Sequence, residues 1–526
     1  MSYLLSQIRS LSRSKQAQVV LFSSTAIALY GYDQGMMSLI NTNHDYLSRM
    51  RISGDSPLVG IIVSVYYLGC SVGAVFFSWF ADQFGRKPAI FFCLATASLG
   101  NFIMFIAGLG GMRKALEVMF LGRVIMGLGV GGIDSVIPVY SAELAETKMR
   151  GRAMGQEFQM NIFGLNMAFA INLGVTVALG KDNQWAWRIP IIVMQAYPIL
   201  LLACIELLPE SPRFYIYHGR EEDAKKACED IDPRNGKETF EELKESHERE
   251  ADKEVTYLNM LTPGHPQFHP TIVTIMGQIN QALTGYGAVS VYGPQIFELL
   301  GFDVRDAEYL TMGNYVSYFF LMTFAWLLID AVGRRKLLLG GSVVLTSCFV
   351  LLAIFGGLSM NSQGKSASLD VPTVAFSVPG IVTLYVATGA FGIGWLATVW
   401  LIPTEIYPTT ARAQAAAISV VIWGLANFTI TLLTPIMFNN LRYWLFLVFA
   451  ASNAIAGLWT WAYLPESGGR SFEENQRFFD DAVKDGTWQV RKIENGAYLR
   501  MPYPHSGEAE RGERAPLLQR VREQIP

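Results

Sequence analysis

The chain alternates between long apolar runs and shorter polar segments. We count twelve apolar runs of about twenty residues, the length at which a helix spans the hydrocarbon core of a bilayer. This pattern predicts an all-α membrane protein with twelve transmembrane helices. The runs lie near residues 17–40, 58–80, 89–108, 116–140, 156–179, 189–208, 271–296, 309–329, 337–358, 379–402, 413–437 and 443–463.

The composition agrees with a bilayer as the surrounding medium. Of 526 residues, 51% are hydrophobic and 16% charged, whereas about a quarter are charged in soluble domains. The net charge of -3 gives no reason to expect a nucleic-acid partner. The five cysteines have neither a disulfide framework nor metal-ligand spacing, and all six histidines lie outside the apolar runs. We therefore expect a monomer in a lipid bilayer, with no metal, no cofactor and no intramembrane histidine relay.

The runs divide six and six around a charged segment. We predict a first helical bundle over residues 1–208, a cytosolic linker with short helices over 209–270, a second bundle over 271–463 and a cytosolic tail over 464–526. An even number of spans places both termini on one side of the membrane. Lysines and arginines cluster at the helix ends on that side, which predicts that it faces the cytosol.

Several motifs occur twice, in the same order. SWFADQFGRK follows the second run and AWLLIDAVGRRK includes the end of the eighth, while LPES closes the sixth and the twelfth. After the fourth and tenth runs, a glutamate precedes an arginine by seven residues. This order indicates a duplicated six-helix unit. The matched positions are Asp82 with Asp330, Arg86 with Arg334, Glu143 with Glu405, and Arg150 with Arg412.

Together with PVYSAELAETKMRGR and IPTEIYPTTARAQ, these motifs resemble those of the sugar porter branch of the major facilitator superfamily in its fungal form, over about residues 17 to 475. The resemblance implies two pseudo-symmetric six-helix bundles that rock around a central site. It also implies transport of a sugar or related polyhydroxy solute, by proton-coupled symport with alternating access. An uncoupled facilitator and a transporter-like nutrient receptor remain open. No nucleophile, metal or phosphate-loop motif is apparent, so we expect no enzyme.

The repeated charges are candidates for an inner gate. In outward-facing sugar porters, the matching positions form a latch between the cytosolic helix ends, and the resemblance assigns that role here. The alternative is that these residues only determine topology. The inner-gate candidates are Asp82, Arg86, Glu143, Arg150, Asp330, Arg334, Glu405 and Arg412.

Charges deep within a bilayer are costly and indicate function. Asp33 lies in GYDQGMM about eight residues from the outer end of the first helix, and Arg123 lies about as far from the outer end of the fourth. At similar depth the two can neutralise each other, and protonation of Asp33 would release the arginine. The resemblance assigns proton coupling to this pair, with a static salt bridge as the alternative. The roles of Asp134, about three turns from Arg123, and of Glu157 remain open.

The predicted substrate site departs from the family pattern. QALTGYG has Ala282 and Gly287 where a second glutamine and an asparagine are usual, and Phe158 stands where a sugar-binding glutamine is usual. These differences argue against an ordinary glucose pocket and leave a pentose, polyol, disaccharide or sugar acid open. Asp134 is a candidate for a hydroxyl pair, an amine or a second proton. The substrate-binding candidates are Gln281, Thr284, Trp400, Asn427, Gln159 and Asp134.

The carboxyl-terminal segment contains ERAPLLQR, in which Glu513 precedes Leu517 and Leu518 at the spacing of an acidic dileucine sorting signal. Such short patterns also arise by chance. We expect a multi-pass protein of the plasma membrane, with a vacuolar or endosomal membrane as the alternative.

Overall fold

The computed structural model describes most of the chain. Within the described residues the chain is helical apart from turns, connecting segments and a hairpin of Ile493–Glu494 with Ala497–Tyr498. This result confirms the predicted all-α class. The described residues are 15–54, 56–144, 150–231, 233, 235–250, 255–363, 371–408, 411–468, 470, 472–484, 489–490, 493–494 and 497–498.

The first six apolar runs form the helices of the amino-terminal half. The sixth run is divided in two at Gln195, and a short extra helix follows the first run. The helices are α1 (Lys15–Ile40), α2 (His44–Met50), α3 (Pro57–Phe84), α4 (Arg86–Ile106), α5 (Ala115–Leu144), α6 (Arg150–Leu179), α7 (Gln184–Met194) and α8 (Ala196–Cys204).

Four short helices form the linker between the halves. They are α9 (Pro212–Tyr217), α10 (Glu221–Ile231), α11 (Gly236–Glu250) and α12 (Tyr257–Leu261).

The carboxyl-terminal half contains the remaining runs, two of them irregular. The seventh run is broken at Gly285, where φ is 84°, and the tenth contains the π-helical turn Gly392–Leu396. The helices are α13 (Phe268–Leu283), α14 (Tyr286–Val291), α15 (Gly293–Leu299), α16 (Val304–Val332), α17 (Arg334–Gln363), α18 (Val371–Phe391), α19 (Ala397–Ile406), α20 (Arg412–Leu441), α21 (Leu445–Tyr463) and α22 (Phe472–Lys484).

Nine helical segments in the described part of the chain are long and apolar enough to cross a bilayer. One of them, Arg412–Tyr463, contains the eleventh and twelfth predicted runs. The other two runs form α1, which contains Asp33, and the broken series α13, α14 and α15. The structure therefore contains helices at all twelve predicted runs.

Most buried apolar residues form two cores, one largely within each half. In the first half α1 packs against α6, and α3 and α4 pack against α5; in the second half α17 packs against α18 and α21. The halves meet along two pairs of helices, α3 with α20 and α6 with α16. A central site between the halves is therefore bounded by helices of both.

Glycine allows α1 and α6 to approach closely. A Cβ atom at Gly164 would overlap the backbone carbonyl oxygen of Ala28, and one at Gly31 would overlap that of Asn161. Small residues at helix contacts are how membrane helices gain van der Waals contact, because lipid supplies no hydrophobic driving force between them. Gly174 lies on the same helix as Gly164, but a Cβ there would meet nothing within 4 Å.

We predict that Gly164→Val destabilises the protein and that Gly174→Val does not. Overpacking a tight contact costs about 1–3 kcal/mol, so Gly164→Val should lower the apparent melting temperature of the purified protein. Size-exclusion chromatography after heating measures this temperature. Equal melting temperatures for the two variants would contradict the close packing of α1 and α6.

Candidate functional site

A buried ion pair joins α1 to α5 within the first half. Arg123 Nη1 lies 2.6 Å from Asp33 Oδ1, and the two side chains are 1% and 2% exposed. Arg123 also donates hydrogen bonds to the backbone carbonyls of Ile62 and Val63 on α3, and its guanidinium lies 4.6 Å from the ring centroid of Tyr66. Protonation of Asp33 would remove the negative charge but would leave the arginine with these other partners.

A second cluster lies at the inner end of the first half, the side that carries the predicted cytosolic motifs. Arg86 lies 3.1 Å from Glu143 and 3.0 Å from Asp82. Glu210 of the first LPES accepts hydrogen bonds from the backbone N–H groups of Arg86 and Lys87, at 3.0 and 2.9 Å, and so caps the amino end of α4. Burial raises the pKa of Glu210, and these backbone donors oppose the rise.

The second half repeats this cluster. Arg334 lies 2.8 Å from Asp330 and 2.6 Å from Glu405. Glu466 of the second LPES accepts from the backbone N–H groups of Arg334 and Arg335, at 2.8 and 3.1 Å. Each cluster therefore fastens the helix ends of its own half. The side chain of Arg150 lies outside the described residues, and Arg412 lines the cavity between the halves.

That cavity lies between the two halves and reaches their inner helix ends. Most of its lining comes from α5 and α6 of the first half and from α19 and α20 of the second, with Arg86 from α4 and Arg213 from α9. It contains two of the predicted substrate residues, Asp134 and Trp400, next to the ring of Phe158. The residues that line it include Asp134, Phe158, Trp400, Arg86, Glu143 and Arg412.

The outer side is closed by contacts between the halves. Lys181, which follows α6, lies with its Nζ 2.7 Å from Glu308 Oε1 on α16. Arg305 lies 3.0 Å from the other carboxylate oxygen of Glu308, which is 1% exposed. The rings of Phe169 and Tyr315 meet across the same interface at 5.1 Å. The structure is therefore closed on the outer side, with a cavity that extends to the inner side.

Two of the predicted substrate residues donate hydrogen bonds to backbone carbonyls of the irregular helices. Gln281 donates its amide hydrogens to the backbone carbonyls of Trp395 and Leu396, at 3.0 and 3.1 Å, where the π-helical turn leaves the regular pattern. Thr284 donates its hydroxyl to the carbonyl of Gln281, at 2.6 Å. These donors are therefore engaged by the protein in this state.

Two further candidates also have partners within the protein. Gln159 donates to Thr323 and accepts from Trp326, each at 2.9 Å, and so joins α6 to α16 across the interface. Asn427 donates to the carbonyl of Trp423, and its Oδ1 faces Gly287, where an added Cβ would lie 3.1 Å away.

Sequence reasoning missed several residues that shape the site. Trp423 contacts Trp400 at 6.1 Å between ring centroids and also Tyr30 and Tyr67 of the first half, at 5.4 and 5.2 Å. Its apolar run gave no signal that distinguishes it from other core tryptophans. Lys181 and Glu308 were also missed. For Glu210 and Glu466 the repeated LPES was visible, although their capping role was not.

Comparisons with known proteins agree with this geometry. Residues 19–479 match the family described as sugar (and other) transporter. The probable metabolite transport protein CsbC of Bacillus subtilis is 30% identical, with 88% of this chain and 94% of that protein covered. The sugar transporter STL1 of Saccharomyces cerevisiae is 28% identical, with 90% and 83% covered.

Among solved structures, the proton:xylose symporter XylE of E. coli has the same fold. Its complex with 6-bromo-6-deoxy-D-glucose superposes with a TM-score of 0.75 at 22% identity, covering 88% of this chain and 99% of XylE. These relatives and neighbours are transporters rather than enzymes, and the fold is the two-bundle arrangement that the sequence motifs predicted.

We predict that Lys181→Glu opens the outer side. The substitution places two carboxylates next to each other and removes the attraction that favours the closed outer side. A loss of about 1.4 kcal/mol would shift the ratio of closed to open molecules tenfold. A reporter cysteine at Leu39, which is buried against Tyr315, should then react about tenfold faster with an impermeant maleimide added from outside.

The charge swap Lys181→Glu with Glu308→Lys should restore part of the protection, because the two groups attract again while the new ammonium group lies beside Arg305. Asp182→Asn, at an exposed carboxylate beside Lys181, should leave the labelling rate unchanged. A labelling rate that Lys181→Glu does not alter would show that the ion pair does not keep the outer side closed.

Proposed function

The chain belongs to the sugar transporter family of membrane proteins, and on that premise we propose that it couples the movement of a sugar or related polyhydroxy solute to the movement of a proton, by alternating access. The observation that carries the proposal is the ion pair of Asp33 with Arg123, 2.6 Å apart and almost fully buried. Burying ionisable groups within a membrane span costs free energy, and such groups therefore tend to mark functional sites.

The arrangement of contacts supports alternating access. The inner clusters around Arg86 and Arg334 hold helices within each half, so each half can move as a unit. The pair of Lys181 with Glu308 crosses between the halves on the outer side, and the cavity lies between the halves towards the inner side. Opening the outer side requires that this pair breaks while the inner helix ends come together.

The charges around Arg123 support proton coupling. An unpaired charge in a low-dielectric site is costly, so the ionised Asp33 holds the guanidinium in place. When Asp33 takes up a proton, the attraction is lost, and Arg123 can shift towards the carbonyls of Ile62 and Val63, to which it already donates. A rearrangement of this kind in one half changes the surface that it presents to the other.

The known relatives support the solute class. XylE is described as a proton:xylose symporter and STL1 as a sugar transporter. In this chain Trp400 lines the central cavity and supplies an aromatic surface on which a sugar ring can stack.

A facilitator without proton coupling is the second candidate. Arg123 has three partners besides Asp33, namely two carbonyls and the ring of Tyr66, and such anchoring also suits a static pair. We expect the plasma membrane as the location, with a vacuolar or endosomal membrane as the alternative. The dileucine motif at residues 513–518 lies outside the described residues.

We predict that Asp33→Asn abolishes accumulation against a gradient. The amide keeps the shape of the side chain but cannot carry a proton, so the variant should still exchange solute without concentrating it. Arg123→Ala should fail for a different reason, because Asp33 would stay protonated without its partner. Uptake of a radiolabelled sugar panel into proteoliposomes, with the outside more acidic, measures both effects.

Glu117→Gln is the matched control, since Glu117 is an exposed carboxylate on the helix that carries Arg123. It should accumulate solute as wild type does. Uphill accumulation by Asp33→Asn at the wild-type level would refute the coupling role. If wild type is itself indifferent to the proton gradient, the protein is a facilitator.

A further inference from the structure

The central cavity contains a carboxylate for which the proposed coupling mechanism has no role. Asp134 lines the cavity on α5 and is 5% exposed. Within the described part of the chain, its Oδ2 has no hydrogen-bond partner and no lysine or arginine forms an ion pair with it. A buried carboxylate without partners is costly when it is ionised.

Other acidic residues nearby do have partners. Glu143 lines the same cavity but pairs with Arg86 at 3.1 Å. Glu157, on α6, accepts a hydrogen bond from Ser141 at 2.6 Å. Asp33 pairs with Arg123. The contrast singles out Asp134 as a buried carboxylate that no described lysine or arginine neutralises, so a counter-charge for its ionised form would come from a ligand.

Two aromatic rings line the same cavity. Phe158 and Trp400 line it with Asp134, and their ring centroids are 5.9 Å apart. Trp423 extends this surface, 6.1 Å from Trp400. A cation within about 6 Å of an aromatic face is attracted by the ring, most strongly by tryptophan. A carboxylate beside aromatic rings therefore suits a cationic group.

The side-chain amides that could hydrogen-bond the hydroxyl groups of an uncharged sugar already have partners within the protein. The amide of Gln281 is committed to two backbone carbonyls, and that of Gln159 bridges α6 and α16. Recognition in this cavity therefore depends more on charge and rings than on amide donors.

We propose that the transported solute carries a protonated amine as well as hydroxyl groups, as an amino sugar or an amino polyol does, and that Asp134 binds the ammonium group beside Phe158 and Trp400. This inference rests on the proposed transport of a polyhydroxy solute and narrows its chemical class. It assigns Asp134 to the substrate and leaves proton coupling to Asp33 and Arg123.

The test compares probes that differ by an amine. D-glucosamine is matched with D-glucose, and N-methyl-D-glucamine with D-sorbitol, and binding to the full chain in lipid nanodiscs is measured by calorimetry. Wild type should bind the amine at least about tenfold more tightly than its neutral partner in at least one pair, because a tenfold preference corresponds to about 1.4 kcal/mol, which a hydrogen bond to a charged group can supply.

Three variants locate the effect. Asp134→Asn should reduce the amine-to-neutral affinity ratio to about one, whereas Asp134→Glu, which keeps the charge, should preserve a preference for the amine. Asp182→Asn removes an exposed carboxylate from the outer side and should keep the wild-type ratio. Unchanged elution of each variant on size-exclusion chromatography confirms folding.

The inference is overturned if wild type prefers no amine in either pair, or if Asp134→Asn keeps the preference. If wild type has no amine preference, loss of proton-driven accumulation by Asp134→Asn would instead identify Asp134 as a second proton site. A different outcome would refute the proposed function. An amine preference that depends on Asp134, without any response of uptake to a proton gradient, would retain this inference and refute symport.

Discussion

The structure depends on one constraint, that the hydrocarbon core of a membrane offers no partner for a polar group. Several polar groups within the spans are accordingly satisfied by the protein itself. Gln281 donates hydrogen bonds to the carbonyls at the π-helical turn. Asn172 on α6 donates to the carbonyl of Met36 on α1 at 2.9 Å. Asp33 and Arg123 satisfy each other. Asp134 differs from Asp33 in having no lysine or arginine in an ion pair with it within the described residues, and the proposed ammonium group of the solute would supply that charge.

The contacts within each half differ from those between the halves. The clusters around Arg86 and Arg334 repeat each other in geometry and are completed by Glu210 and Glu466, which cap the following helices. They lie within the halves and do not oppose a movement of one half against the other. The contact of Lys181 with Glu308 crosses the interface, so the proposed alternating access would break it and form it again.

The sequence predicted the helices well because each apolar run is a local signal. The depth of Asp33 and Arg123 could also be predicted, since a constant helical rise places both about eight residues from the outer ends. The partners of Gln159 and Gln281 could not, because they depend on how α6 meets α16 and on where the tenth run becomes π-helical. The contact of Lys181 was equally hidden, since it requires the relative position of the halves. Gly285, in TGYG, was a visible signal for the break in the seventh run.

The central claim is that solute and proton cross the membrane together and that Asp33 and Arg123 couple the two movements. The electrical charge that crosses the membrane with a neutral solute tests this claim most directly. Proteoliposomes containing the full chain are adsorbed on a supported membrane without any ion gradient, and a neutral sugar or polyol from an uptake-positive panel is applied. Symport predicts a transient inward positive current that disappears in Asp33→Asn, although the variant still exchanges labelled solute. Exchange by wild type without any current would contradict the account.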